Sequence, residues 1–562
     1  MAASSHWALP LDIIECICQV ADHRALGALQ HVDAQWRHFS LPLLWRTIEI
    51  SEWECKSSAS EVHAAYGRYA QSLEYRQSYR RRGHSHGAAT LRASQPTPDG
   101  RTKTDVLCGW LSMRWGSVRQ VAVGAWPPYN VHRVQLALAS ACPRLRVLVL
   151  EGAAAAWLVA MQQAVAAHPH LQELHISEDT RALLPPAADR PYQNLHTRLQ
   201  VLTDSGCSSL TRLTAPCLAD TVIPLLARLP CLLPALRSLD LRQVDAGVAS
   251  RLRIAVPPLL EDLRTSGQHP LSARMFCSPH AGLADQQGAS HAALSAVAPG
   301  LRSLMVTGPR SEEAARGEYE QFWSPAFKHR WPLLVRLVVP VICTDLGLLV
   351  RTMCPALRRL SIMHAGSSID PQQNTQWAFH LTQLASLSYL DIASSNNEYE
   401  GCRLTPQLVA GTTWRTAQLH TLYLSRLALT ADRLLILLRM LPRLRALWFT
   451  FDAGGRRTEA TTSHGGDAAG RHWHLRYLII HSICTTDIDS ASEAAPAEAA
   501  NCEGGEHGCG ESGSIAALAD CLRMFPSLNQ CRLPMFTFPD TQRRRLQLWF
   551  PHIDFKRYSP PH

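Results

Sequence analysis

The chain lacks the marks of export. No Asn-x-Ser/Thr sequon occurs in its 562 residues. Its start has no basic segment followed by an apolar run, so no signal peptide is expected. Cysteine is present, but the total of 17 is odd and no framework spacing repeats. That excludes a disulfide-stapled fold and predicts free, mostly buried thiols in a reducing compartment, cytoplasmic and/or nuclear. Cys16 and Cys18, on different sides of one helix, read as packing residues. Long hydrophobic runs are missing too. The most apolar stretch, 333–350, is broken by Arg336, Pro340 and Asp345, so no membrane partner is expected. Charge is sparse: 18 % of residues are charged and the net charge is +9, which does not argue for nucleic acid.

Catalytic signatures are scarce as well. There is no His-Glu-x-x-His and no phosphate-loop Gly-Lys-Ser/Thr. Gly508-Cys509-Gly510-Glu511-Ser512-Gly513 has the spacing of a dinucleotide loop, but Glu503, Glu506 and Glu511 would repel phosphate and no strand precedes it. Cys502, His507 and Cys509 fit no zinc spacing. No catalytic residue, metal or cofactor is therefore expected, and the chain reads as a non-enzyme.

What is abundant is one pattern, Leu-x-x-Leu-x-Leu. It occurs as Leu145-Leu148-Leu150, Leu171-Leu174-Ile176, Leu236-Leu239-Leu241, Leu301-Leu304-Val306, Leu334-Leu337-Val339, Leu357-Leu360-Ile362, Leu387-Leu390-Ile392, Leu419-Leu422-Leu424, Leu444-Leu447-Phe449 and Leu475-Leu478-Ile480. Shorter or degraded copies are Leu210-Leu213 and Leu528-Cys531-Leu533, and Leu260-x-x-Leu263 is a candidate for a cryptic one. Many starts lie roughly 23 to 33 residues apart, which is a strand and a helix per repeat. The second and third apolar positions are two apart, so they share one face of a short strand. Pro143, Pro169, Pro355, Pro442 and Pro526 precede the first leucine and end the helix before it. The fold class is thus α/β: an irregular solenoid of parallel strands on a concave face and helices on a convex face.

The first fifty residues differ. Pro10 suits a first helical position, and Ile13, Ile14, Ile17 and Val20 follow at helical spacing. Leu26, Leu29 and Val32 repeat that spacing, Trp36 follows, and Leu43, Leu44 and Trp45 precede an alternating Thr47-Ile48-Glu49-Ile50. About forty residues cannot bury all of these side chains alone.

Leu9-Pro10, Ile13, Ile17, Leu26, Leu29, Val32, Trp36 and Leu44-Trp45 together resemble an F-box, especially the version ending Leu-Pro-Leu-Leu-Trp-Arg that is common in fungal members. Asp12 stands where Glu is usual, Ala21 where a large aliphatic is usual, and Asp33 where a small or sulfur-bearing residue is usual. With the repeats, the chain resembles the leucine-rich-repeat branch of that family. The resemblance implies a substrate-recruiting subunit of a Skp–cullin–F-box ubiquitin ligase. Leu9, Pro10, Ile13, Ile14, Ile17, Leu26, Leu29, Trp36, Leu44 and Trp45 would dock on the Skp adaptor, and a target protein would lie on the repeats. The alternative is a repeat scaffold whose first helices are only a cap.

The expected boundaries follow. Residues 1–50 form the F-box. Residues 51–135 form a connector, with Tyr66 and Tyr69 at packing positions and a disordered basic loop at 76–105 that carries Arg80-Arg81-Arg82. Residues 136–540 form the solenoid, with disordered insertions at 452–470 and 487–513. Residues 541–562 form a cap, with Arg543-Arg544-Arg545 and then Leu548, Phe550, Ile553 and Phe555 tucked in. On the concave side, Tyr389, Tyr423, Trp448 and Tyr477 put an aromatic on four successive strands, and Asp240, Arg242, Arg336, Arg359 and Asp391 add charge.

Overall fold

A computed structural model describes residues 10–51, 59–76, 110–123, 131–151, 167–177, 209–217, 228–244, 254–266, 276–277, 298–307, 330–341, 344–365, 384–394, 418–429, 440–452, 474–484, 527–534 and 540–558, with a few single residues between them. The basic loop, both insertions, Leu9, the Gly508–Gly513 stretch and the Cys502–Cys509 region lie outside these residues. The chain divides into two compact units, 1–265 with 275–289, and 266–274 with 290–562.

The first unit opens with three helices, α1 (Leu11–Val20), α2 (His23–Leu29) and α3 (Ala34–Leu44). The amides of Ile13 and Ile14 donate to the Pro10 carbonyl and start α1. Asp22 caps α2 by accepting from the Ala25 amide at 2.8 Å. Asp33 caps α3, accepting from the amides of Gln35 at 2.7 Å and Trp36 at 3.0 Å. Two free N–H groups at a helix start thus find a carboxylate, which gives a physical reason for an Asp at that position. Ile14, Cys18, Leu26 and Leu44 form the core of the three helices, with Leu29, Trp36, Phe39 and Trp45 against it.

Strands β1 (Thr47–Ser51), β2 (Ser72–Arg76), β3 (Gln120–Val123), β4 (Val147–Glu151), β5 (Glu173–Ser177), β6 (Arg212–Cys217) and β7 (Ser238–Val244) pair in chain order, all parallel. Between them lie α4 (Ala59–Tyr66), α5 (Val131–Ala141) and a short α6 (Leu229–Leu232). After β7 come β8 (Ile254–Ala255), β9 (Asp262–Ser266) and β10 (Phe276–Cys277); β8 and β10 pair with each other. The second unit repeats the layout with β11 (Ser303–Thr307), β12 (Arg336–Val341), α7 (Thr344–Met353), β13 (Arg359–Ala365), β14 (Tyr389–Ser394), β15 (Thr421–Leu429), β16 (Ala446–Asp452), β17 (Tyr477–Cys484), β18 (Gln530–Pro534), α8 (Asp540–Trp549) and β19 (Asp554–Tyr558), again parallel in chain order. This is a leucine-rich-repeat solenoid. None of the described helices is long and apolar enough to cross a membrane.

Register explains the leucines. Leu304, Leu337, Leu360, Leu390, Leu422, Leu447, Leu478 and Cys531 stand side by side across β11–β18 and all are buried. Removing one such leucine side chain costs about 2–5 kcal/mol. The pattern also runs where leucine is missing. Val118-Val121-Val123 carries β3, and Trp45-Ile48-Ile50 carries β1. The stretch expected to be a connector therefore contributes two strands, and β1 belongs to the sheet rather than to a separate helical module. Leu260 and Leu263 are buried as the cryptic repeat requires. At the end of the chain β19 adds a strand, with Phe550, Ile553 and Phe555 buried, whereas Leu548 is exposed. Cys18, Cys142 and Cys354 are buried free thiols and Cys531 is buried too, but Cys16 is exposed, so it is not a packing residue.

A further buried position precedes the first leucine by three: Trp115, Cys142, Leu233, Trp331, Cys354, Leu441 and Phe525 occupy it. In one repeat it holds a histidine, His168, which is buried and whose Nε2 has no hydrogen-bond partner. Burial lowers its pKa from 6.5 to about 4. The unfolded chain therefore takes up this proton first as pH falls, and stability present above pH 6.5 is lost progressively down to about pH 4. At pH 5 the loss from this residue is about 2 kcal/mol relative to pH 8. His168→Leu is expected to remove that part of the acid sensitivity, read as a smaller drop of the urea midpoint between pH 8 and pH 5.

Candidate binding surfaces

The first surface lies on α1. Its residues split into two stripes one helical step apart. Ile14 and Cys18 are each 1 % exposed, and face the other two helices. Pro10, Ile13, Ile17 and Val20 form the adjoining stripe, and Ile13, Ile17 and Val20 are 43 %, 37 % and 85 % exposed. Leu11 and Val32 are exposed as well. The residues expected to dock on an adaptor are thus sorted. Pro10, Ile13 and Ile17 are open to a partner. Ile14, Leu26 and Leu44 are buried within the module and cannot touch one. Leu29 and Trp36 are half-buried against that core.

Trp45 has another task. It precedes β1 at the position held by the first leucine of later repeats, and its ring stacks on Tyr66 at 3.9 Å and 7°. Around it, His63 meets Trp115 edge-on at 4.6 Å, and the Trp115 indole N–H donates to the Trp110 carbonyl at 2.9 Å. Gly67 is required here, because a Cβ would come within 2.6 Å of the His63 carbonyl oxygen. These aromatics tie the helices to the first repeats.

The second surface lies on the open face of the second unit's sheet, opposite the buried leucines. Two rows of outward positions cross the strands. One runs Arg336, Arg359, Tyr389, Thr421, Ala446, Tyr477. The other runs Ser361, Asp391, Tyr423, Trp448, Ile479, Arg532. Tyr389 and Tyr477 therefore stand in one row, and Tyr423 and Trp448 in the next. Tyr389 meets Tyr423 diagonally, ring centroids 5.4 Å apart, and Tyr423 meets Trp448 at 5.0 Å. Tyr477 lies beyond them, half exposed.

The electrostatics follow from burial. Asp391 accepts a hydrogen bond from the Ser361 hydroxyl at 2.8 Å, yet burial raises its carboxyl above the usual range. Burial, then Asp391 and Tyr423, push the Tyr389 hydroxyl up to about 12, against the opposing pull of Arg336 and Arg359. Tyr423 is raised by burial and by Asp391, against Arg532. These tyrosines remain hydrogen-bond donors throughout the neutral range. Asp240 and Arg242 belong to β7 in the first unit, outside this cluster; the Arg242 side chain lies outside the described residues.

The first unit's open face carries a polar chain that sequence reading missed. His175 bonds the Thr214 hydroxyl through Nδ1 at 3.0 Å and meets Glu173 through Nε2 at 3.4 Å, and Arg212 reaches Glu173 at 3.4 Å. The order resembles a nucleophile, base and orienting acid. Thr214 is buried, however, so its hydroxyl is closed to a substrate. The two-residue spacing Glu173-x-His175 on a strand was the available signal. Gly83-His84-Ser85-His86-Gly87 also has the spacing of a hydrolase elbow, which needs a strand before it and a helix after it; it lies outside the described residues. No group of three or more metal-ligating side chains occurs among the described residues.

No family model matches the chain, and no curated protein matches it. Among solved structures, the crystal structure of a TLR13–ssRNA13 complex aligns with 88 % of this chain at 12 % identity and a TM-score of 0.28. This chain spans 55 % of that one's length.

The split of α1 gives a test. Ile14→Asp buries a carboxylate without a partner and is expected to melt the helical module, at a cost above about 3 kcal/mol. Ile13→Asp, one position away, is expected to change stability by no more than about 0.5 kcal/mol. Hydrogen exchange across residues 10–51 reads both.

Proposed function

We propose that this chain is the substrate-recruiting subunit of a Skp–cullin–F-box ubiquitin ligase. The observation that carries the reading is the second stripe of α1. Three helices have already closed a core on Ile14, Cys18, Leu26 and Leu44, yet Pro10, Ile13, Ile17 and Val20 leave an apolar row open beside it. A cap shields apolar surface and has no use for such a row. The residues match the F-box resemblance at Pro10, Ile13 and Ile17, the positions where an adaptor would sit. The leucine-rich-repeat fold adds open sheet faces for a target. In this reading the chain performs no bond chemistry. It holds a target beside the ligase's charged ubiquitin carrier, and raises the target's effective concentration there.

A second reading, a repeat scaffold without a ligase role, draws on Trp45. The last residue of the F-box resemblance is built into the first repeat, as a terminal cap would be. Adaptor binding separates the two. Full-length chain is expected to capture a purified Skp-type adaptor–cullin complex, and Ile13→Asp with Ile17→Asp is expected to lose capture by at least about a hundredfold while its thermal unfolding stays unchanged. Folded wild-type chain that captures nothing, or a double variant that captures normally, would leave the scaffold.

A further inference from the structure

We propose that the open face of the second unit, from β12 to β18, takes an extended acidic peptide with a large apolar side chain near its centre. On the ligase reading above, that peptide is the recognition segment of the recruited protein.

The centre of the face is aromatic and rigid. Tyr389, Tyr423 and Trp448 touch in an unbroken line, with Ile479 next in register. Their mutual contact fixes the side chains before any partner arrives, so little entropy is lost on binding. An apolar side chain lying on them is removed from water on one side at once.

The ends are basic. Arg336 and Arg359 lie at the Tyr389 end and Arg532 at the Trp448 end, one register step past Ile479. None of the three forms an ion pair among the described residues. Neither nearby acid is spent on these arginines: Asp391 accepts from the Ser361 hydroxyl at 2.8 Å, and Asp554 pairs with Lys556 at 3.0 Å. Unspent positive charge therefore brackets an apolar centre, and the complement is an apolar residue bracketed by carboxylates or phosphates.

The span sets the length. From the strand of Arg359 to that of Arg532 there are five inter-strand steps of about 4.8 Å, on the order of 24 Å. An extended chain covers that in about seven residues. Single-stranded nucleic acid fits less well. The rings pack on one another at 5.0 and 5.4 Å, so they leave no slot between them for an inserted base. A cationic peptide would meet three arginines.

The test uses full-length chain and fluorescent peptides of about a dozen residues, read by anisotropy. One carries a Leu-Phe centre with Asp and Glu about seven residues apart. A second replaces the acids by phosphoserine, a third by lysine, and a fourth by serine. An oligouridylate is the fifth probe. Saturable binding of the first or second peptide, which weakens with salt and falls about tenfold or more in Arg336→Gln with Arg359→Gln and in Trp448→Ala, is expected. The two acidic peptides distinguish a carboxylate source from a phosphorylated one. Circular dichroism of the arginine pair, whose side chains are partly exposed, guards against unfolding. Equal or tighter binding of the lysine peptide, the serine peptide or the oligouridylate overturns the proposal, as does binding that survives both sets of substitutions, or no binding by either acidic peptide. Adaptor capture is measured on the same preparation. Peptide binding lost with capture intact sinks this surface and leaves the ligase reading. Capture lost with peptide binding intact does the reverse.

Discussion

The carbonyl oxygen of Arg119 accepts from the amides of both Arg146 and Val147, and that of Arg146 accepts in turn from Gln172 and Glu173. The same doubled bond recurs at Arg46, Gln172, Thr211 and Arg237 in the first unit, and at Arg302, Val335, Arg358, Ser388, His420, Arg445 and Arg476 in the second. Each repeat is thereby pinned to its predecessor just before its strand begins. Backbone groups at that turn would otherwise be buried without partners, which costs about 1–3 kcal/mol each. Side chains reinforce the pin at intervals. Ser117, Ser209 and Ser386 each donate to carbonyls of the preceding turn, Gly67 and Ala70, Pro169 and Leu171, and Pro355 and Leu357. With the starting point fixed, every strand enters in the same register, and the leucines behind have no choice but to align.

The open aromatic face is a by-product of that alignment. Outward positions form straight rows because inward ones do. Tyr389 and Tyr423 meet diagonally, and Tyr423 and Trp448 directly, only because their strands start level. A register slip of one residue would turn all three rings into the core and the leucines out to water. Selection on the surface is thus confined to two or three residues per strand, while the scaffold underneath is indifferent to which they are. This is why a face of arginine, tyrosine and tryptophan rests on the same repeat as the Glu173–His175–Thr214 chain of the first unit.

The repeat was legible because leucine marks it and because a period of two reads directly as one face of a strand. Where valine or tryptophan replaces leucine, as at Val118 and Trp45, the same geometry escaped a pattern keyed to one residue type. The upstream buried position was invisible for a related reason: Trp115, Cys142, His168 and Phe525 share a place in space and nothing in side-chain chemistry. On α1 the sequence presents Ile13, Ile14, Ile17 and Val20 as a single apolar stripe. Ile13 and Ile14 are neighbours in sequence and both isoleucine, and only the position of α2 and α3 decides that one is exposed and the other sealed. Cys16 and Cys18 differ in the same way. The aromatic face was legible by alternation, but its division into two rows needed the register.

The junction at Trp45 limits what the helical module can do independently. A docking domain joined by a flexible linker would let its cargo sample a wide volume, and the gain in effective concentration would fall with linker length. Here no linker exists at the first step. Helix α3 ends at Leu44, Trp45 stacks on Tyr66, and the carbonyl of Arg46 already holds the amides of Gln71 and Ser72. Bending between the helices and β1 would break that stack and both backbone bonds together. Whatever holds α1 therefore also holds β1 and β2 in place. Orientation of the first repeats relative to α1 is set by the fold itself.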